Sequence, residues 1–284
     1  MTSLPALFLP HGSPPIPIEP CASSDWLAKA AALLPRRPTG IVFMSPHFVT
    51  PQFCVSTTER PVTLMDFDAG TDLEAVKKLS KLSYPCPGAP ALGLRVAALL
   101  RSTGLACVTQ DDRGLDHGVW TPLYVMYPDA DIPVCCLSVR SDLDAAAHIQ
   151  AGRALADLRK EGVLVVGSGE VVHNVPEMGA RASAPKPWCL DFESWIEEQV
   201  LADTSATGTG GGPRGGRQAD AALCGWKEAA PYASVAHPED SPGEHLVPFF
   251  FAHGAGGPDC AGKLEHKEYL GSLPMSAYSF TTGG

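Results

Sequence analysis

Histidine is the side chain best suited to do chemistry in this sequence, because imidazole serves both as a metal ligand and as an acid or base near neutral pH. Of nine histidines, four close an apolar run or follow one, beside Gly, Pro or Asn. They are His11 in FLPHGSP, His47 in FMSPHF, His117 in DRGLDHGVW and His173 in GSGEVVHN. A fifth, His245 in SPGEHLVPFFF, opens a late apolar segment. One histidine in such a place is usually a loop residue bonded to backbone, but five in equivalent places are harder to assign to accident. The other four carry less: His148 reads as a surface position on a helix, and His237 and His266 sit in polar surroundings. His253, in FFAHGAGG, reads as a helix-end or loop residue.

Other chemistries lack their residues. GSG at 167–169 follows an apolar run, but Val172 stands at the third glycine position of a dinucleotide fingerprint. There is no G-x-S-x-G elbow for a serine nucleophile and no H-E-x-x-H for a zincin. Asp111 and Asp112 read as turn residues at a strand end.

The elements that must position the histidines are legible as short apolar runs alternating with helical patterns. The runs at 6–10, 40–46, 106–110, 132–139 and 162–169 are continuously apolar, which fits strands covered on both faces. Helical patterns cover 25–34, with Ser23 and Ser24 as candidate caps, and 89–100, 142–160, 188–201 and 220–230. The alternation predicts an α/β fold: a single domain over residues 1–284, with a central, mostly parallel or mixed sheet flanked by helices. In such sheets ligands bind beyond the carboxyl ends of the strands, where residues remote in sequence converge. One segment stands apart. DTSATGTGGGPRGGR, at 203–217, has too little apolar surface to offset its ordering entropy and reads as a flexible Gly-rich insert within the domain.

Composition narrows the partners. With 284 residues and a formal net charge of −10, the chain can bury a sizeable core but has no basic excess for nucleic acid or an anionic membrane surface. No apolar stretch approaches the roughly 18 residues needed to span a bilayer, and the N-terminal run lacks a basic region and is broken by Pro5 and Pro10. The nine cysteines include no C-x-x-C pair. Adjacent Cys135 and Cys136 should point to opposite faces of a strand, so reduced thiols in a cytoplasmic protein are expected. The sequence specifies no oligomeric state.

Taken in order, these motifs resemble the class III extradiol ring-cleavage dioxygenases of the LigB type, most closely the 4,5-DOPA extradiol dioxygenase branch. The resemblance runs through ALFLPHGSP, GIVFMSPHF, YPCPGAPAL (84–92), RGLDHGVWTPLYVMYPDADIPVCCLSV (113–139), EGVLVVGSGEVVHN (161–174) and PGEHLVPFFFAHGA (243–255). It implies a non-haem metal held by His11, His47 and His245, with Glu244 as the alternative third ligand because the wider family uses a glutamate. It also places His117 and His173 in the same pocket as acid/base groups, His173 as the main base and a neighbour of the metal. Fe(II) is then the metal for activity, with Zn²⁺ able to occupy the same donors. The substrates are a catechol and O₂, and the product is a muconic semialdehyde type. A set of three protein ligands leaves open positions where a diol can chelate beside dioxygen.

The sequence departs from that branch in places. Pro46 and Phe48 flank the second histidine where the branch has Ala and Trp, and Pro46 removes a backbone donor. The branch's HDF motif appears as Met65-Asp66-Phe67, without its pocket-side histidine, and DAGTDLEAV replaces the Phe-Pro that follows. Arg113 and Lys186 are the candidate cations for a substrate carboxylate. Three imidazoles also suit a zinc hydrolase, and some proteins of this fold act through protein contacts alone; both remain alternatives to ring opening.

Overall fold

The computed structural model describes residues 2–67, 72–201 and 216–282. Its strands, in chain order, are β1 (Ala6–Leu9), β2 (Gly40–Thr50), β3 (Phe53–Ser56), β4 (Cys107–Gln110), β5 (Val134–Arg140), β6 (Val163–Ser168), β7 (Cys260–His266), β8 (Tyr269–Leu270), β9 (Leu273–Pro274) and β10 (Ala277–Thr282). All but β8 and β9 form one eight-stranded sheet in the order β4-β3-β5-β2-β6-β1-β10-β7. Its centre, β5-β2-β6-β1, is parallel. Antiparallel pairings join β3 to β5 and β10 to β1, so the sheet is mixed, as expected of an α/β domain.

Successive residues of the central strands are buried alternately in two separate cores. Val42, Met44, Val165, Ala6 and Phe8 belong to one core cluster, and Ile41, Phe43, Leu164, Val166, Leu7 and Leu9 to the other. Both faces are therefore covered, which is why these strands read as unbroken apolar runs. Cys135 and Cys136 fall on opposite faces in the same way, and all nine thiols are free.

The helices are α1 (Ala22–Ala30), α2 (Leu73–Leu79), α3 (Pro90–Ser102), α4 (His117–Met126), α5 (Ala145–Leu155), α6 (Pro187–Val200), α7 (Arg217–Cys224), α8 (Trp226–Ala229), α9 (Ala233–Ala236) and α10 (Val247–Gly256). Several starts differ from the sequence reading. Helix α1 begins three residues earlier than expected, because Cys21 and Ser24 form a reciprocal capping box. Asp144 caps α5 by accepting from the N–H groups of Ala146 and Ala147. Gly225 divides the expected 220–230 helix into α7 and α8. The Gly-rich insert lies outside the described residues as far as 215; Gly216 and Arg217 are described and open α7.

Helix α10 packs on the sheet against α5. Every one of its residues is buried, so VPFFFAHGAG shows no amphipathic period that would announce a helix. The carboxyl ends of β1, β2 and β6, neighbours in the sheet, open onto one edge, and the segment leading into α10 crosses that edge.

Candidate metal centre

Each of the five singled-out histidines reaches this edge by a different route. His11 lies two residues past β1. His47 lies within β2, where the pairing with β5 shifts between Ser45 and Val49. That irregularity surrounds Pro46, and the His47 N–H is 3.3 Å from the Ser45 hydroxyl. His117 opens α4 rather than closing a strand, with Asp116 as its N-cap. His173 follows β6, its N–H donating to Ala236 O at 3.0 Å. His245 comes from the segment before α10, and this segment approaches β6 so closely that a Cβ on Gly169 would stand 2.0 Å from the His245 carbonyl oxygen. The second glycine of GSG therefore makes room for a protein segment rather than for a pyrophosphate.

The rings form one cluster. Ring centroids are 5.1 Å apart for His11 and His47, 5.4 Å for His11 and His245 and 4.0 Å for His47 and His117. His173 stacks on His245 at 3.6 Å with 7° between planes. His11 is 1% exposed on its side chain and His173 23%, so the cluster has a sealed floor and an open rim.

Hydrogen-bond partners decide which nitrogen of each ring bears the proton. The Ser168 hydroxyl donates to Gly118 O at 2.7 Å, so it accepts from His11 Nδ1, 2.9 Å away. His117 Nδ1 donates to the Asp66 carboxylate at 3.0 Å, and Asp66 also accepts the His117 N–H. Ser241 donates to Glu244 Oε1 and accepts from His173 Nδ1 at 2.7 Å. His245 Nδ1 donates to Glu244 Oε1 at 2.9 Å. On four rings the lone pair is consequently on Nε2. His47 Nε2 lies 3.2 Å from His11 Nε2, a separation at which the pair can share a proton or a cation.

Electrostatics favours neutral rings at the floor. Burial, then the neighbouring His47, holds His11 well below the ordinary histidine range, and burial, then His173, does the same for His245. Burial and then His117 push His47 down to about 3. Asp66 is pushed up by burial but, on balance, brought below the usual carboxylate range by its bonds to His117.

Behind the cluster, Arg113 pairs with buried Asp116 at 2.6 Å, donates to His47 O and lies over the Phe48 ring. It braces the β2 loop. Lys186, the other candidate cation, pairs with Glu177 on the surface. Neither faces the ring cluster through any of these contacts.

Three sets of donor atoms lie within 4.8 Å of one another: His11, His47 and His117; His11, Glu170 and His245; and His173, Glu244 and His245. Lone-pair imidazoles and a buried carboxylate make a donor set that suits a divalent transition-metal ion. One observation supports that fit directly: the Glu170 Oε2 atom is buried without a hydrogen-bond partner among the described residues. Burial pushes the Glu170 carboxyl up to about 8, against the backbone N–H groups of Gly12 and His11. Sequence reasoning passed over Glu170, although it stands inside GSGEVVHN; only its position beside β1 distinguishes it from a solvated glutamate.

Two of the remaining histidines correct the sequence reading, and His253 keeps the helix-end place it suggested. His148 is fully buried, not on the surface, accepting from the Arg140 N–H at Nε2, with its ring beside Phe53. His237, in apparently polar surroundings, is buried against Phe192 and Trp226 and donates to Val171 O. His253 lies within the last turn of α10, bonded to Asp220. His266 is on β7, bonded to Ser23 and stacked on Trp26.

Residues 8–281 match the family model described as the catalytic LigB subunit of aromatic ring-opening dioxygenase. A 4,5-DOPA dioxygenase extradiol of Portulaca grandiflora is 34% identical over 98% of this chain and 96% of its own length. A protein of the same description from Escherichia coli K12 is 40% identical over 70% of this chain and 71% of its own. The crystal structure of an uncharacterized Escherichia coli K12 protein superposes with a TM-score of 0.73 at 30% identity, covering 99% of this chain and all of that one.

Proposed function

Since the chain belongs to the LigB family of aromatic ring-opening dioxygenases, and is an extradiol ring-cleaving enzyme, we propose that it opens a DOPA-like catechol with O₂ at Fe(II) held by His11, His47 and His245. The ring bond cleaved lies beside the diol rather than within it, and the product is a muconic semialdehyde type. The observation that carries the reading is the convergence of the five histidines on one sheet edge, four with Nδ1 committed to an acceptor.

The metal would supply Lewis acidity toward the diol and a place for dioxygen. The remaining work belongs to the chain. His173 is held by Ser241 at Nδ1 and has Nε2 as its basic nitrogen at the open rim. It takes a phenolic proton and later returns one to the departing oxygen, as a group that is base and then acid must. His117, fixed by Asp66, presents its Nε2 lone pair to a substrate hydroxyl. Asp66 comes from the segment that lacks the branch's histidine, and its carboxylate orients an imidazole instead. Glu244 accepts from His245 Nδ1 and so supports that ring, which favours His245 over Glu244 as the third ligand.

The DOPA-like substrate rests on the relatives' descriptions. A cytoplasmic location rests on the free thiols, and no helix among the described residues is long and apolar enough to cross a membrane. The deciding experiment is oxygen uptake by metal-stripped protein reloaded anaerobically with Fe(II) and then given L-DOPA and O₂. Stoichiometric uptake with a new visible-absorbing product is expected, absent with Zn²⁺ and in His47→Ala. Uptake with another catechol but not DOPA moves the substrate, and silence with every catechol despite bound iron overturns the reading.

A further inference from the structure

Glu170 has no part in the proton transfers above, yet it sits at the floor of the cluster. It follows β6, the strand between β1 and β2, and its side chain is 1% exposed. Oε1 accepts the Gly12 N–H at 2.7 Å, which steadies the turn that carries His11. Oε2 has no hydrogen-bond partner among the described residues. It stands 3.5 Å from His11 Nε2 and 3.8 Å from His245 Nε2.

Those two nitrogens are the lone-pair nitrogens of their rings. Ser168 takes the Nδ1 proton of His11, and Glu244 that of His245. Oε2 therefore faces two acceptors with no proton between them if the carboxyl is ionised, an arrangement that repels unless a cation lies among the three. Bracing the Gly12 turn needs one oxygen only, so it does not account for the second. We propose that Glu170 is a fourth protein donor to the resident metal ion, its Oε2 joining His11, His47 and His245. The carboxylate then comes from the end of β6 rather than from Glu244: Oε2 of Glu244 is also without a hydrogen-bond partner among the described residues, but its Oε1 is taken up by Ser241 and by Nδ1 of His245, whereas Glu170 Oε2 faces the Nε2 atoms of two rings. This inference rests on the metal-site reading but not on which aromatic compound is opened.

A protonated Glu170 donating to one of the two nitrogens is the competing account, and Glu170→Gln separates them. Glutamine keeps an oxygen for Gly12 and an N–H₂ donor for a ring nitrogen, but removes the anionic ligand. Metal-stripped wild type and Glu170→Gln are titrated anaerobically with Co(II), read by visible absorption and by competition with a chromophoric chelator. The expected result is a loss of affinity of about 100-fold or more with a shifted Co(II) band, beyond what a supporting residue alone removes. Affinity within about threefold of wild type overturns the proposal, as does a weaker site with an unchanged band, which would place Glu170 behind the donors. Circular dichroism reports whether the variant folds. Glu170→Asp, which withdraws the carboxylate by one methylene, carries the same test if it does not. Wild type that binds Co(II) while its iron form opens no catechol would sink the ring-opening reading and leave this assignment to the titration.

Discussion

Imidazoles that look alike in sequence differ in function through the partner each has at Nδ1. His173 stacks on His245 but hangs on Ser241 and the rim, so His173→Ala should retain its metal, counted by elemental analysis, while kcat falls by about 10²–10⁴, the range for a lost general base. Full turnover with metal bound would remove it from that role. Asp66 accepts both the N–H and the Nδ1–H of His117. Asp66→Asn should leave metal content intact and lower kcat by about 10–100-fold, because an amide no longer selects one tautomer; unchanged steady-state kinetics would show that His117 needs no such support. The five site histidines were legible because each adjoins an apolar run. Ser168, Ser241, Asp66 and Glu170 were not, because a hydroxyl or carboxylate acquires its task only from what the fold sets beside it. His148 and His237 mislead for the converse reason: their residue type and neighbours in sequence suggested surface, yet both are buried, His148 beside Phe53 with a backbone bond at each ring nitrogen and His237 beside Trp226 with one at Nε2.

Helices α5 and α10 meet across a seam where side chains would not fit. A Cβ on Gly152 would stand 2.1 Å from Phe251 O and 2.6 Å from Ala255 N, both backbone atoms of α10. Gly152→Ala must separate the two helices, and urea unfolding should show a loss of about 1–3 kcal/mol, the usual cost of overpacking, against the small gain alanine brings to an exposed helix. Stability equal to wild type would mean that the helices slide apart freely. The same burial explains which elements escaped the sequence. Helix α10 has no polar face to reveal a period, and α4 begins at the histidine that its motif suggested as a loop residue. Edge strand β7 and its neighbour β10 are partly polar and pair antiparallel, unlike the continuous apolar runs that marked the centre. Two-sided burial made β1, β2, β5 and β6 readable, although β3, short and buried on both faces as well, escaped; all-round burial in a helix left no period to read.

Across the whole molecule, histidines with opposite shifts bracket the pH of greatest stability. His11, His47 and His245 at the candidate metal centre, and His148 and His237 elsewhere, are held below the ordinary range chiefly by burial, His148 and His237 to about 4. Each is neutral when folded but binds a proton when unfolded below about pH 6.5, so stability is lost as pH falls from there toward the folded values. His253 runs the other way. Burial opposes its charge, but Asp220 and Cys260 prevail and raise it to about 9; the stabilisation is complete below about pH 6.5 and is lost as pH rises through 9. Thermal unfolding of the metal-free protein should therefore be highest near pH 6.5–7.5, and His253→Gln should flatten the alkaline limb while leaving the acid limb in place. A divalent ion held by the proposed ligands would deepen the acid limb, because it would bind only the unprotonated donors and join β1, β2 and the segment before α10, which are remote in sequence. At a free metal concentration about 1,000 times Kd the folded state gains about 4 kcal/mol, which for a chain of this size raises Tm by about 10 °C. A chelator should remove that increment from wild type and change nothing in His47→Ala. An equal response in both would mean that the ion binds elsewhere, and that the edge of β1, β2 and β6 is held together by its hydrogen bonds alone.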